Sequence, residues 1–405
     1  MAVIYQIFIH IFGFITKIYS LFNSKVRLMV KGRKESFIIL KEKIKPEDRV
    51  IWFHCASLGE FEQGRVLLEM FRKQEQDAKI VLTFFSPSGY EIRKNYPYAD
   101  CIIYLPNDTK RNAEHFIQLA NPQLTFFIKY EFWYNYLYFL SGRKVFQVSL
   151  ILRKDHYLQK FYSGYFRKQL KVFNHFFVQN RETADILLKF GYTNASIVGD
   201  TRFDRVMQIA EQTTYIPLIS QWCKDEKVLI LGSSWEADEQ LLYASKLASE
   251  LKVIIVPHNI SEGHIEYIKT LFADSVLFTQ LNETNLNTNL IIVNTVGLLS
   301  SLYRYCQWAY IGGGFGEGIH NTLEAACFGK PVCFGTNYKK FKEAVDLVQL
   351  EGAKVITSPD DLRTFVNDLS VETKYEKVSF TCQNYVKDNA GASKRIMNYL
   401  KQEVL

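Results

Sequence analysis

Ser57 and Glu60, in the stretch WFHCASLGEFEQG (52–64), stand three residues apart directly behind a strand-like run that ends in histidine. The pattern S-x-x-E is that of a capping box, in which the serine accepts a helical amide and the glutamate reaches back to the serine amide. A carboxylate between a strand's end and a helix's start is also placed to take a proton from a hydroxyl nucleophile. The two roles can coexist, and spacing alone favours the cap. Three other stretches follow apolar runs in the same way. FFSPSGYE (84–91) turns the chain with Ser86 and Ser88, whose hydroxyls and nearby amides suit either an anion or an ordinary cap. IKYEFWYN (128–135) sets Glu131 beside Trp133 and Asn135, a carboxylate among aromatics that could orient a sugar hydroxyl or could simply be an exposed loop residue. YIGGGFGEGIHNTLEAACFGKPVCFG (310–335) carries glycines at 312, 313, 314, 316 and 318, which let the backbone approach a ligand. A helix is expected to begin near His320 and aim its amides at a phosphate, with Glu324 one turn in and able to accept two ribose hydroxyls. No G-x-G-x-x-G can be drawn through these glycines, so a dinucleotide-dependent oxidoreductase is disfavoured.

The elements that must position these residues alternate regularly. RVIWFH (49–54), KIVLTFF (79–85), CIIYLP (101–106), LTFFIK (124–129), KVFQVSL (144–150) and HFFVQN (175–180) read as strands separated by amphipathic helical stretches. The pattern pauses near 199–217 and restarts with KVLILGSS (227–234), KVIIVPH (252–258), LIIVNT (290–295), WAYIGGG (308–314), KPVCFG (330–335) and AKVI (353–356). Continuous apolar strands between helices imply parallel sheets covered on both faces, where ligands bind beyond the carboxyl ends of the strands. Two such arrays make two Rossmann-like domains with a linker around 200–220. The closing stretch, 373–404, reads as helical.

A chain of 405 residues suits two domains, and its 48% hydrophobic content is that of a folded protein. The formal net charge of +7 gives weak support for an anionic partner and none specifically for nucleic acid. Seven cysteines form no CxxC pair and no zinc-like cluster, and read as reduced core thiols. Residues 2–22, AVIYQIFIHIFGFITKIYSLF, are almost wholly apolar and are followed by Lys25, Arg27, Lys31, Arg33 and Lys34. A signal peptide would carry its positive charge before the apolar stretch and a small-residue cleavage site after it, and neither is clear; the length could just span a bilayer, but the in-chain Lys17 and His10 fit a helix lying in a membrane interface, with the basic segment near anionic headgroups. A buried helix covering the first domain is the other reading. Basic flanks of this kind keep the body of a protein on the cytoplasmic side.

Taken together and in order, FHCASLGE, FSPSGYE, YEFWYN, LGSSWEADE, VPH and GGGFGEGIHNTLEAACFGKPVCFG resemble the 3-deoxy-D-manno-octulosonic acid (Kdo) transferases over about residues 30–350. These are GT-B glycosyltransferases of lipopolysaccharide biosynthesis that use CMP-Kdo. HN-x-LE with a later G-K-P-V is shared by many GT-B enzymes; the S-x-GE and E-x-W-x-N stretches make the resemblance specific.

The resemblance implies an α/β GT-B fold: a membrane-associating segment (1–35), an acceptor domain (36–205) and a donor domain (206–385) facing each other across a cleft, and a C-terminal helix (386–405) packing back on the first domain. It implies inverting, metal-independent transfer of Kdo from CMP-Kdo to a lipid A precursor at the cytoplasmic face of the inner membrane, with no cofactor. Glu60 matches the catalytic base and Glu131 the acidic residue of the E-L-W-P-N motif. Ser233, Ser234, Pro257, His258, Gly313, Gly314, His320, Asn321 and Glu324 fall in the donor nucleotide region. Ser57, Gly59, Ser86, Ser88, Arg153 and Arg202 are the candidate acceptor or phosphate contacts, and Arg153, Lys154, Lys160, Arg167, Lys168 and Lys171 either meet acceptor phosphates or form a solvated face. The chain departs from the family where P-R-H becomes Pro257-His258-Asn259, G-E-L becomes Gly297-Leu298-Leu299, WPN becomes Trp133-Tyr134-Asn135 and N-A-R becomes Ile151-Leu152-Arg153. These changes remove an arginine and a glutamate expected near the donor. A GT-B enzyme using a UDP-sugar, or a non-catalytic nucleotide-sugar-binding membrane protein, are the alternatives.

Overall fold

Strands buried on both faces need helices above and below them, and the computed structural model of the chain builds two seven-stranded parallel sheets of this kind. It describes every residue except Lys154, Thr213, Asp225 and Leu405, and Tyr162 is left without a side-chain description. The expectation placed on Lys154 therefore lies outside the described residues. Contacts divide the chain into one unit of residues 1–205 with 391–405 and a second of residues 206–390.

The first unit runs α1 (Ala2–Tyr19), α2 (Ser24–Lys43), β1 (Val50–Cys55), α3 (Leu58–Gln74), β2 (Lys79–Phe84), α4 (Pro87–Arg93), β3 (Cys101–Tyr104), α5 (Lys110–Ala120), β4 (Leu124–Ile128), α6 (Tyr134–Phe139), β5 (Lys144–Leu150), α7 (Gly164–Gln169), β6 (His175–Val178), α8 (Arg181–Lys189) and β7 (Ala195–Ile197). Its sheet order is β3-β2-β1-β4-β5-β6-β7, with Phe53 of β1 in register with Leu82 of β2 and Phe126 of β4. Phe53, Phe126 and Phe146 stack across neighbouring strands at 4.8 and 5.4 Å, so one face of the sheet is an aromatic ladder.

After α9 (Thr201–Glu211), the second unit runs α10 (Pro217–Cys223), β8 (Val228–Ser234), α11 (Glu236–Ser245), β9 (Lys252–Pro257), α12 (Glu262–Leu271), β10 (Val276–Leu277), β11 (Leu290–Ile292), α13 (Leu299–Leu302), β12 (Trp308–Ile311), α14 (Leu323–Ala326), β13 (Val332–Phe334), α15 (Lys342–Gln349), β14 (Ala353–Val355), α16 (Pro359–Asp368) and α17 (Glu372–Asn389). Its sheet order is β10-β11-β9-β8-β12-β13-β14. The chain then returns to the first unit with α18 (Ala392–Glu403), whose Ile396, Met397 and Leu400 are buried against the β1–β4 side of that core.

Two expectations about local structure change. Within the stretch read as a linker, residues 201–211 are helical, because TRFDRVMQIAE places Phe203 and Val206 on one buried face of α9. The helix expected near His320 begins three residues later and lasts one turn: the Asn321 carboxamide accepts the Leu323 amide, and Gly329 with a positive φ of 67° stops the chain soon after. All seven cysteines are free thiols, six of them buried.

Helix α1 is long and apolar enough to cross a membrane by length and composition. One face packs on its own unit, where the Tyr5 hydroxyl donates to Asp108, Gln6 bonds Asn135, and Phe12 stacks on Phe85. The opposite face leaves Ile4, Ile7, Phe8, Ile11, Phe14 and Ile18 exposed.

Candidate active site

In an open parallel sheet the crevice for a ligand lies where the strand order reverses, at the carboxyl ends. In the first unit that point falls between β1 and β4, and both carboxylates singled out from the sequence sit there: Glu60 follows β1 and Glu131 follows β4. Ser57 occupies the N-cap position of α3, but its hydroxyl donates to the Glu60 carboxylate instead of accepting a helical amide. The expected capping box is therefore not formed. The other Glu60 oxygen accepts from Lys129 Nζ at 3.3 Å. Burial pushes the Glu60 carboxyl upward, but the Ser57 hydroxyl and the Lys129 ammonium outweigh it and hold it below its ordinary range. Gly59 is exposed, and a Cβ there would meet only Ser57 Oγ at 3.7 Å, so nothing in the packing demands a glycine.

Lys129 was missed by the sequence reading. It adopts φ 72°, a left-handed conformation that costs a non-glycine residue energy, and its carbonyl accepts from Gln147. This turn aims the chain from β4 into the Glu131 loop. Glu131 Oε2 lies 3.7 Å from His54 Nε2, and that same nitrogen accepts from Trp133 Nε1 at 2.9 Å. An indole N–H only donates, so in this arrangement the imidazole proton sits on Nδ1, which bonds Thr83 Oγ1 at 2.8 Å. The Trp133 ring in turn stacks on Phe85 at 4.9 Å. The E-x-W-x-N stretch thus splits its work: Trp133 holds His54, while Asn135 bonds Asp108 and Gln6 and helps to seat α1.

The remaining candidates of the first unit lie apart in role. Ser86 caps α4, accepting from the Ser88 amide at 3.3 Å. Arg202 pairs with Asp200 at 2.8 Å, and Arg153 is exposed with its carbonyl accepting from His156.

In the second unit the strand order reverses between β8 and β12. Ser233, the last but one residue of β8, adopts φ 55°, and Gly312 passes so close that a Cβ would meet the Ser233 carbonyl oxygen at 2.2 Å, which only glycine permits. Asp238 fixes this loop: its carboxylate accepts from the Gly313 amide at 2.9 Å, the Trp235 amide at 3.0 Å and the Tyr310 hydroxyl at 2.8 Å. The Ser234 hydroxyl is turned inward and donates to the buried Glu239, which also meets His264. Three rings gather at the strand ends, His258 stacking between Trp235 at 4.7 Å and His320 at 4.5 Å, with Trp235 Nε1 donating to His320 Nε2 at 3.2 Å. Burial, and then the neighbouring His258, push the His320 imidazole down to about 4, so it is neutral near pH 7. Pro257 ends β9 beside this stack. Asn321 donates to one Glu324 oxygen at 2.9 Å and Ser300 to the other at 2.6 Å. Asp238 and Lys340 were missed. The Lys340 ammonium donates to the Glu317 carbonyl beside Gly318, placing a cation on the glycine loop; the KK pair after GTNY was its only signal.

Such a pair of sites, a carboxylate held by serine and lysine and a glycine loop ringed by aromatics, has relatives. Residues 31–205 match the family model described as 3-deoxy-D-manno-octulosonic-acid transferase (kdotransferase). The chain is 26% identical over 353 residues to the 3-deoxy-D-manno-octulosonic acid transferase of Aquifex aeolicus, an alignment covering 84% of this chain and 93% of that protein. It is 23% identical to the enzyme of the same description from Haemophilus influenzae, covering 88% and 87%. Among solved structures, the UDP-GlcNAc 2-epimerase of Neisseria meningitidis bound to UDP-GlcNAc superposes with a TM-score of 0.62 at 16% identity, covering 88% of this chain and all of that one, a likeness of fold alone. The family model and the relatives agree: over most of its length the chain is similar to Kdo transferases, and its two parallel seven-stranded sheets have the α/β architecture of the GT-B fold.

Proposed function

We propose that this protein transfers Kdo from CMP-Kdo to a lipid A precursor, with inversion and without a metal, at the cytoplasmic face of the inner membrane. The observation that carries the reading is the Glu60 carboxylate at the switch point of the first sheet, held by Ser57 and Lys129 and otherwise unspent. Glu60 takes the proton of the acceptor hydroxyl as that oxygen attacks the anomeric carbon, and CMP leaves with the bonding electrons. Glu131, held near His54, orients a sugar hydroxyl. The second unit receives the nucleotide. Its glycine loop and Lys340 face the phosphate, Asn321 and Glu324 take the ribose, and the Trp235–His258–His320 stack offers a surface to the flat base. Lys340 supplies the cation that the missing P-R-H arginine would have provided, and Arg202 and Arg153 remain candidates for acceptor phosphates. The exposed apolar face of α1 brings the enzyme to the membrane that holds the acceptor.

The test is to incubate wild type and Glu60→Gln with CMP-Kdo and the tetraacylated lipid A precursor and to weigh the lipid products. Loss of the base is expected to lower turnover by about 100-fold or more. Equal product from the two proteins would remove Glu60 from the mechanism, and no product from wild type, with thermal stabilisation by UDP-sugars in place of CMP-Kdo, would move the enzyme to another donor.

A further inference from the structure

Arg33 on α2 is a buried cation without a carboxylate. The residue is 8% exposed, its Nη1 donates to Asn107 Oδ1 at 2.7 Å, its Nη2 reaches the Phe85 carbonyl at 3.4 Å, and its guanidinium carbon lies 4.5 Å from the centre of the Phe85 ring. Its Nε–H is buried with no partner among the described residues. A guanidinium in such a place is costly unless an anion meets it, and burial does pull this one down to about 10. It lines a cavity of about 260 Å³ together with Lys17 and Thr16 of α1, Lys34 of α2, and Asn107 and Asn112. None of the residues lining that cavity is acidic, and among the described residues no ion pair engages Lys17, Arg33 or Lys34. The position is built into the fold. Gly32 lies so near β3 that a Cβ would meet the Tyr104 ring at 2.4 Å, and the Ser36 hydroxyl donates to the Tyr104 carbonyl at 2.8 Å, so α2 is seated on the sheet with Arg33 turned inward.

We propose that this cavity binds the phosphate group of a membrane lipid, with Arg33 as the buried counter-charge and Lys17 and Lys34 closing on the phosphate from the mouth. The choice of a lipid follows from α1. Lys17 stands between Phe14 and Ile18, both exposed on the apolar face that meets the bilayer, so a phosphate in the cavity has its acyl chains beside that face. A guanidinium fork matches phosphate oxygens, and two lysines add point charges. The site stands on α1, α2 and the β3–α5 loop and does not depend on which sugar the enzyme moves.

Isothermal titration of the full chain in non-ionic detergent tests it, with dihexanoyl phosphatidic acid, dihexanoyl phosphatidylglycerol and inorganic phosphate as separate probes. Both lipids should bind, and inorganic phosphate roughly tenfold more weakly or worse, since it lacks the apolar contact. Lys17→Gln/Lys34→Gln should weaken lipid binding roughly tenfold. Lys25→Gln/Lys31→Gln, which removes the same charge from exposed positions on α2 outside the cavity, should bind as wild type at a salt concentration that screens diffuse attraction. Arg33→Gln should abolish binding; where its circular dichroism departs from that of wild type, the two lysine pairs decide. Inorganic phosphate binding as tightly as the lipids would assign the cavity to a free anion and overturn the proposal. Equal loss in both lysine pairs, or no binding by wild type, would overturn it as well.

Discussion

Glu60 carries a tension at the scale of a single residue. A general base works best with a pKa near the working pH, yet Ser57 and Lys129 hold this carboxyl below its usual range. The arrangement keeps Glu60 ionised but limits its proton affinity; in the proposed mechanism an acceptor displaces one of its partners. Lys129→Met removes the cation and lets the carboxyl rise. Ionisation of the free enzyme then requires a higher pH, so the acid limb of the kcat/KM profile is expected to move upward, and an unmoved limb would show that Lys129 does not tune this group. The two glutamates were legible in the sequence because each follows a predicted strand, where a parallel sheet must present its ligand site. Lys129 and Asp238 were not. A lysine after an apolar run reads as a surface charge, and only the backbone turn at φ 72° reveals that it is aimed at Glu60. Asp238 reads as an ordinary acidic residue in the first turn of a helix, whereas its carboxylate holds the glycine loop.

At the scale of an element, one buried acid helps to hold α1 to its unit. Asp108 accepts from the Tyr5 hydroxyl and from the amides of Asn135 and Tyr136, and burial pushes its carboxyl from 3.8 up to about 7 despite those donors. A folded pKa raised above the unfolded value means that the folded state holds the proton longer. The resulting stabilisation is fully present below about 3.8 and is lost as the pH rises through about 7. Thermal midpoints of wild type should therefore fall relative to those of Asp108→Asn as the pH climbs through that window, and parallel curves would refute the assignment. The long strands were legible because a run such as VIWFHC is buried at every position, a pattern that only a doubly covered strand needs. The edge strands β7 and β10, three and two residues long and only partly buried, carry no such run and were missed. The single-turn α14 was overestimated because glycines on both sides confine it, and periodicity cannot register a helix of four residues.

At the scale of the whole molecule, the first unit is completed by residues that follow the second in sequence. Helix α18 buries Ile396, Met397 and Leu400 against β1–β4 and α3, and Tyr399 stacks on His175 at 4.1 Å. The Gly391 and Ser393 amides donate to the Asp204 carboxylate, and Arg395 donates to the Val198 carbonyl at 2.7 Å, so the returning helix is locked at its start as well as along its face. Burying three such aliphatic side chains contributes about 1.5–3 kcal/mol each, a large fraction of the total stability of an ordinary domain. Ending the chain after Ala390 should therefore loosen the first unit although its own sequence through Arg205 is intact. Hydrogen exchange followed by mass spectrometry would register this as faster exchange in peptides from β1, β2 and β4, with the peptides of β8, β9 and β12 unchanged. Equal acceleration in both sets would mean that the two units unfold as one, and no acceleration in either would mean that α18 is not part of the first core.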